Sequence, residues 1–194
     1  MQRMKYYYNK HKGQRCFILG NGPSLNKVDI LKLKNELTFG VNSIYLMTRM
    51  NGFFPTYFVV EDNLVFEENR KEIDNYNGPI KLLPERYLSQ LAHKENCFMF
   101  DMDTSFYNRS KPDYYAIPHF NTDSAPRFYC GQSVTYINMQ IAYYMGFTEV
   151  YLLGMDFSYS KPSYHEQNGN HISSHGDDPN HFHKDYFGRG KTWK

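Results

Sequence analysis

The sequence predicts an α/β fold, a mainly parallel sheet with helices on both faces and a polar C-terminal lid. Three observations carry this. Short apolar runs alternate with helix-like stretches through the first half of the chain, the pattern of βαβ units. Several of those runs end in Gly, Asn or Asp, as strands do where they turn into a following element. A glycine pair, Gly20 and Gly22, falls between the first run and the first helix-like stretch, as in Rossmann-like folds.

Each element follows in order. Residues 15–19 read as strand one, and Leu25, Val28, Ile30, Leu31 and Leu33 give a helical stripe behind the glycine loop. Residues 37–41 form strand two, ending at Asn42, and residues 56–60 form strand three, followed by Glu61, Asp62 and Asn63. A helix is expected over 66–75, a strand over 80–83, a helix over 85–93 and a strand over 96–100. Residues 101–130, rich in Asp, Tyr, Pro and Asn, read as a long loop near the site. Regular structure returns with a helix over 133–146, stopped by Gly146, and a strand over 149–153. The expected division is a nucleotide-binding domain over 1–154 and a His- and Tyr-rich lid over 155–194. The polar ending suggests a chain cut before a domain end.

Composition narrows the function. Hydrophobic residues make up 41% and charged residues 22%, which suits a packed globular domain rather than a disordered one. A formal charge of +2 is too small for a nucleic-acid surface, and the basic N-terminal leader offers at most peripheral membrane contact. Cys16, Cys97 and Cys130 show neither disulfide nor zinc spacing. No apolar run nears the ~18 residues that span a bilayer, so a cytoplasmic protein is expected. Aromatics reach 18%, which fits a ring-lined cleft as well as an aromatic core.

The chemistry concentrates at strand ends. In Gly20-Asn21-Gly22-Pro23-Ser24, glycines allow close backbone approach, Pro23 suits a first helical turn, and Ser24 can cap it or bond a phosphate. The expected ligand there is the phosphate of a nucleotide. The loop lacks the G-x-x-x-x-G-K-[S/T] pattern, which excludes a Walker-type NTPase. Leu25 replaces the third glycine of the dinucleotide fingerprint and Asn42 its ribose-binding acid, which disfavours a nicotinamide dehydrogenase. Asn21, Asn42 and Asn63 each end a strand and suit a ribose, a phosphate or a pyrimidine edge. Five of the eight histidines lie between 165 and 183. They could include one catalytic base or a metal group, though Ile172 stands between His171 and His175 where a zincin motif needs Glu.

The motifs Gly20-Asn-Gly-Pro-Ser-Leu25, Phe39-Gly-Val-Asn42 and Gly154-Met-Asp-Phe157 resemble the 6-hydroxymethylpterin diphosphokinase MptE-like family. They resemble at least as much the bacterial sialyltransferases that build lipooligosaccharide. The second resemblance implies a CMP-linked sugar donor bound without a metal by Gly20, Asn21, Gly22, Pro23, Ser24, Asn42 and Asn63. It adds Ser133 and Thr135 at a helix start, and Asp156 of the Gly-x-Asp-Phe motif. Tyr164 matches a tyrosine that braces the leaving phosphate, and Tyr159 neighbours Ser158, which replaces the other. His181 or His183 matches the catalytic base. The implied activity is a nucleotide-sugar-dependent glycosyltransferase of cell-surface polysaccharide synthesis, acting on a glycan or small-molecule acceptor, with a homo-oligomer among the possible states. Two alternatives remain. Glu61, Asp62, Asp101 and Asp103 could hold Mg²⁺ on ATP for pyrophosphoryl transfer to a pterin. A non-catalytic nucleotide-binding module is the other.

Overall fold

The computed structural model describes residues 2–112, 114, 116–160, 165–168 and 171–193. In chain order the strands are β1 (Gln2–Arg3), β2 (Arg15–Leu19), β3 (Thr38–Val41), β4 (Tyr57–Val59), β5 (Ile80–Pro84), β6 (Cys97–Asp103), β7 (Arg127–Tyr129), β8 (Glu149–Leu153), β9 (His165–Asn168), β10 (His171–Ser174) and β11 (Thr192–Trp193). The helices are α1 (Tyr45–Asn51), α2 (Asn63–Glu68), α3 (Arg70–Asn75) and α4 (Val134–Tyr144).

Strands β1-β6-β5-β4-β3-β2-β8 lie side by side in that order, every pairing is parallel, and β7 joins the carboxyl end of β6. A parallel sheet buries both faces, so its strands alternate between two cores rather than between core and water. Phe58 faces one core and Tyr57 and Val59 the other; Cys16 and Ile18 oppose Leu19 in the same way. Helices α1, α2 and α3 cover the first face, through Leu46, Phe66 and Ile73. Helix α4 covers the second with Ile137 and Ile141. The predicted Rossmann-like α/β class therefore stands. No helix of the described residues is long and apolar enough to cross a membrane.

The chain steps outward from β2 to β6 through successive neighbours, then crosses through α4 to β8 on the opposite side of β2. The strand order thus reverses at β2, and a crevice lies at the carboxyl ends of β2, β3 and β8.

Several elements differ from expectation. The helix expected after the glycine loop is two 3-10 turns, Pro23–Lys27 and Ile30–Leu33, separated by Val28 in extended conformation. Only Leu25 and Ile30 of that stripe are buried, while Leu31 is 48% exposed, so too little apolar surface is covered to hold a longer helix. The helix expected over 66–75 breaks at Asn69 because its buried side chain is spent on tertiary bonds. Its Oδ1 accepts from Tyr45 Oη at 2.8 Å and from Lys191 Nζ at 2.9 Å. Residues 85–90 form a 3-10 turn rather than an α-helix. The loop expected over 101–130 contains the end of β6, a 3-10 turn Ser105–Tyr107 and β7. In the polar C-terminal lid, β9 to β11 form a small antiparallel sheet, and Phe182 and Tyr186 sink into the first core.

Candidate active site

Two adjoining cavities, of about 380 and 340 Å³, fill the crevice above the carboxyl ends of β2, β3, β4 and β8. They share Asn42, Ser133, Val134, Tyr159, Asn180, His181 and Tyr186, so they form one continuous cleft.

The glycine loop makes one wall, by a different use of its backbone than the sequence suggests. The Gly20 amide donates to Leu153 O at 2.7 Å, the Gly22 amide to Gly154 O at 2.9 Å and the Leu25 amide to Gly22 O at 3.1 Å. The Ser24 amide donates to Asp156 Oδ2 at 2.8 Å. Pro23 has no N–H. The phosphate expected on these amides would thus meet donors already bonded inside the protein, with the Asp156 carboxylate where an anion would lie. Gly22 is glycine for a steric reason: a Cβ there would lie 2.1 Å from Asp156 Oδ2. Gly154 holds φ at +67°, which lets the chain turn from β8 back over the loop. Hydrogen bonds from the Ser24 amide and hydroxyl hold the Asp156 carboxyl below its usual range.

Asn21 and Asn42 lie on the cleft floor at the ends of β2 and β3. Asn42 sits at φ +51°, a left-handed position that Asn tolerates better than most residues. Asn21 Nδ2 donates to Val41 O at 3.2 Å and to Tyr186 Oη at 2.8 Å. Among the described residues its Oδ1 and that of Asn42 are buried without a donor, a cost of about 1–3 kcal/mol each that a ligand N–H or O–H would relieve. Asn63 does not join them. It opens α2, its Oδ1 accepts from Tyr87 Oη at 2.9 Å, and it lines a separate cavity.

Helix α4 begins on the opposite wall. Ser133 is its N-cap, with Oγ accepting from the Thr135 amide at 3.2 Å. Gln132 before it is strained at φ +66°. Thr135 lines the cleft beside Met155 and Asp156.

The lid brings the titratable groups. His181 Nδ1 bonds Asp178 Oδ2 at 2.6 Å, and the ring stacks on Tyr186 with centroids 4.0 Å apart and planes 5° from parallel. Phe187 meets it edge-on at 5.2 Å. Asp178 also accepts from the Asn180 amide at 2.8 Å and the Phe187 amide at 2.9 Å. Burial alone would push the Asp178 carboxyl up, but the bond and charge of His181 with those two amides outweigh it and hold it low. The carboxylate orients the imidazole, and His181 borders both cavities. His183, the other candidate base, lines neither cavity; its Nδ1 accepts from the Asp185 amide at 3.1 Å. Tyr159 borders both cavities. Tyr164 lies outside the described residues.

Glu61 reaches the cleft from the end of β4, and its carboxyl is raised to about 7, chiefly by burial and further by Asp62. Asp62 borders the same cavities as Glu61, but it and the other acids of the magnesium alternative are engaged in bonds of their own. Asp62 caps α2 by accepting from the Val65 amide at 2.9 Å, Asp101 pairs with Arg127 at 2.6 Å, and Asp103 accepts from the Ser105 amide at 2.9 Å. Among the described residues no three His, Cys, Asp or Glu side chains gather as a metal-holding group.

Sequence reasoning missed Asp178, Asn180 and Tyr186. The Asp-x-x-His spacing of Asp178 and His181 was the available signal, because it places a carboxylate within reach of the imidazole inside one tight turn. Tyr186 had none, since only the folded chain places its hydroxyl on Asn21.

The cleft lies above the carboxyl ends of the strands, where open α/β sheets bind ligands, and strand-end amides and an oriented histidine line it. Residues 1–162 match the family model described as 6-hydroxymethylpterin diphosphokinase MptE-like, and the chain belongs to that family. In fold it is similar to the MAf glycosyltransferase from Magnetospirillum magneticum AMB-1, with a TM-score of 0.50 and 17% sequence identity. That likeness covers 89% of this chain but 29% of the other, so the chain spans under a third of its length. No curated protein matches the sequence.

Proposed function

We propose that the protein is a nucleotide-sugar-dependent glycosyltransferase, with a CMP-linked donor favoured, serving cell-surface polysaccharide synthesis. The observation that carries this reading is the Asp178–His181 pair, which sets a carboxylate-bonded histidine on a cleft that Asn21 and Asn42 also line. Glycosyl transfer needs a base near neutral pH for the acceptor hydroxyl, and histidine supplies it. The acceptor oxygen attacks the anomeric carbon, its proton passes to His181 Nε2, and the bond from that carbon to the phosphate oxygen breaks. Donors that meet the charge growing on the phosphate are Ser133 Oγ, Thr135 Oγ1 and Tyr159 Oη, all of which border the cleft. Because the Gly20, Gly22 and Ser24 amides are bonded internally, these hydroxyls and the asparagine amides carry donor recognition in this reading. Tyr164 retains the role that resemblance gives it. A cytoplasmic location and a glycan acceptor belong to the same proposal.

The test is turnover of CMP-sugar, followed as CMP release with and without a panel of acceptor sugars. His181→Ala should lower it about 10²- to 10⁴-fold, the usual contribution of a general base. Full turnover in His181→Ala would remove histidine catalysis.

The family's description favours a second reading, pyrophosphoryl transfer to a pterin, with Glu61 and Asp62 at the end of β4 as its acids. Formation of AMP from ATP, dependent on both Mg²⁺ and a hydroxymethylpterin, would establish it instead.

A further inference from the structure

A third cavity, of about 330 Å³, adjoins the main cleft and lies within the size range of small-molecule sites. Glu61, Asp62 and Leu64 border both spaces and so form the partition between them. Arg86, Thr104 and Tyr107 close other sides.

Glu61 sets this cavity apart. The residue is only 7% exposed, yet its carboxyl makes no hydrogen bond among the described residues. Arg86 does not take it up: the guanidinium donates to the Glu61 main-chain carbonyl and, at 3.0 Å, to Tyr87 Oη, and lies 4.9 Å from the Tyr87 ring centroid. The Glu61 carboxyl oxygens are not among the fully buried polar atoms, so they stay open to the cavity, where a ligand hydroxyl can bond them. Tyr107, 52% exposed, adds an apolar ring face, and its hydroxyl is fixed by the Gln132 amide at 3.1 Å. Two carboxyls in one wall repel an anion. Hydroxyls, by contrast, can donate to the carboxyls and accept from Arg86 and Thr104.

We propose that this third cavity is the acceptor subsite and takes a hydroxyl-rich sugar, with Glu61 bonding one hydroxyl at the partition. The sugar then sits on the β4–β6 side of the cleft, with its reactive hydroxyl directed toward the space that His181 borders. The acceptor role rests on the glycosyl-transfer reading; sugar binding itself does not.

The test is amide chemical-shift mapping of the full chain with the methyl glycosides of galactose, glucose and N-acetylglucosamine, and with inorganic phosphate. At least one glycoside should shift Leu64, Thr104 and Tyr107, while phosphate should leave all three unmoved. Glu61→Ala should weaken that glycoside about tenfold, the worth of one hydrogen bond to a buried group, and Glu61→Gln should restore part of the loss. Thr104→Trp, which fills the cavity from a different residue, should abolish the shifts at an unchanged melting temperature. Silence at the three amides with every glycoside, or a response there to phosphate, overturns the subsite. A CMP titration of the same sample reports on Asn42 and Ser133, so CMP binding without glycoside binding overturns the subsite and leaves the donor reading standing.

Discussion

At the scale of single residues, Glu61 and Asp178 respond to pH in opposite directions. Burial raises the Glu61 carboxyl to about 7, so the folded state binds a proton that the unfolded chain releases near its ordinary carboxylate value. Stability therefore falls as pH rises through the interval from that ordinary value to about 7. Glu61→Gln should remove this slope and stabilise the protein by about 1–3 kcal/mol above the interval, as read from urea midpoints across pH. Asp178 is held low, so its contribution is complete above the ordinary carboxylate range and is lost as pH falls through its depressed folded value. Asp178→Asn should flatten the acid limb of the same profile. It should also lower turnover by about 10²-fold or more, because an amide no longer orients the His181 imidazole as the carboxylate does. Turnover unchanged in Asp178→Asn would show that the pair only braces the lid.

At the scale of elements, the lid is held by a few long-range contacts. The Phe182 amide donates to Asn21 O at 2.8 Å and Asn26 Nδ2 to Phe182 O at 2.8 Å, while the Tyr186 hydroxyl meets Asn21 Nδ2 inside the core. Tyr186→Phe leaves that buried amide short of a partner and should cost about 1–3 kcal/mol in denaturant unfolding. Gly22→Ala forces Asp156 off the loop, because its Cβ and the carboxylate oxygen would overlap, and should cost about 1–3 kcal/mol. These contacts also explain which parts of the structure were legible in the sequence. The inner strands were readable because both faces are buried, which gives continuous apolar runs such as the one ending at Val41-Asn42, whereas edge strand β8 kept an apolar run although most of it is exposed. Helix type was not: Pro23–Lys27 and Glu85–Gln90 carry helical spacing, but each buries too little to extend beyond a 3-10 turn. Helix α1 carried no expectation at all, although Gly52 ends it at φ +78° as a left-handed cap. At the site, Asn42, Ser133, Thr135, Tyr159 and His181 were candidates from sequence and the fold brings them to one cleft. Asn63 was read from the same strand-end pattern as Asn42, yet the turn into α2 commits it to Tyr87.

At the scale of the whole molecule, strand order decides where chemistry can occur. The strand order reverses at β2, between β3 and β8, and the crevice above these strand ends is the one that the lid borders with His181. The central claim is that this crevice holds a nucleotide. The most direct measurement is a thermal-shift titration with CMP, CTP, UDP, GDP and ATP, each with and without Mg²⁺. A ligand at about 100 times its Kd should add about 2.7 kcal/mol of stability. The account predicts stabilisation by CMP or CTP that is indifferent to Mg²⁺ and is weakened in Asn42→Ala. Stabilisation by ATP only with Mg²⁺ would contradict the glycosyl donor and support the diphosphokinase, and no shift with any nucleotide would contradict the site itself.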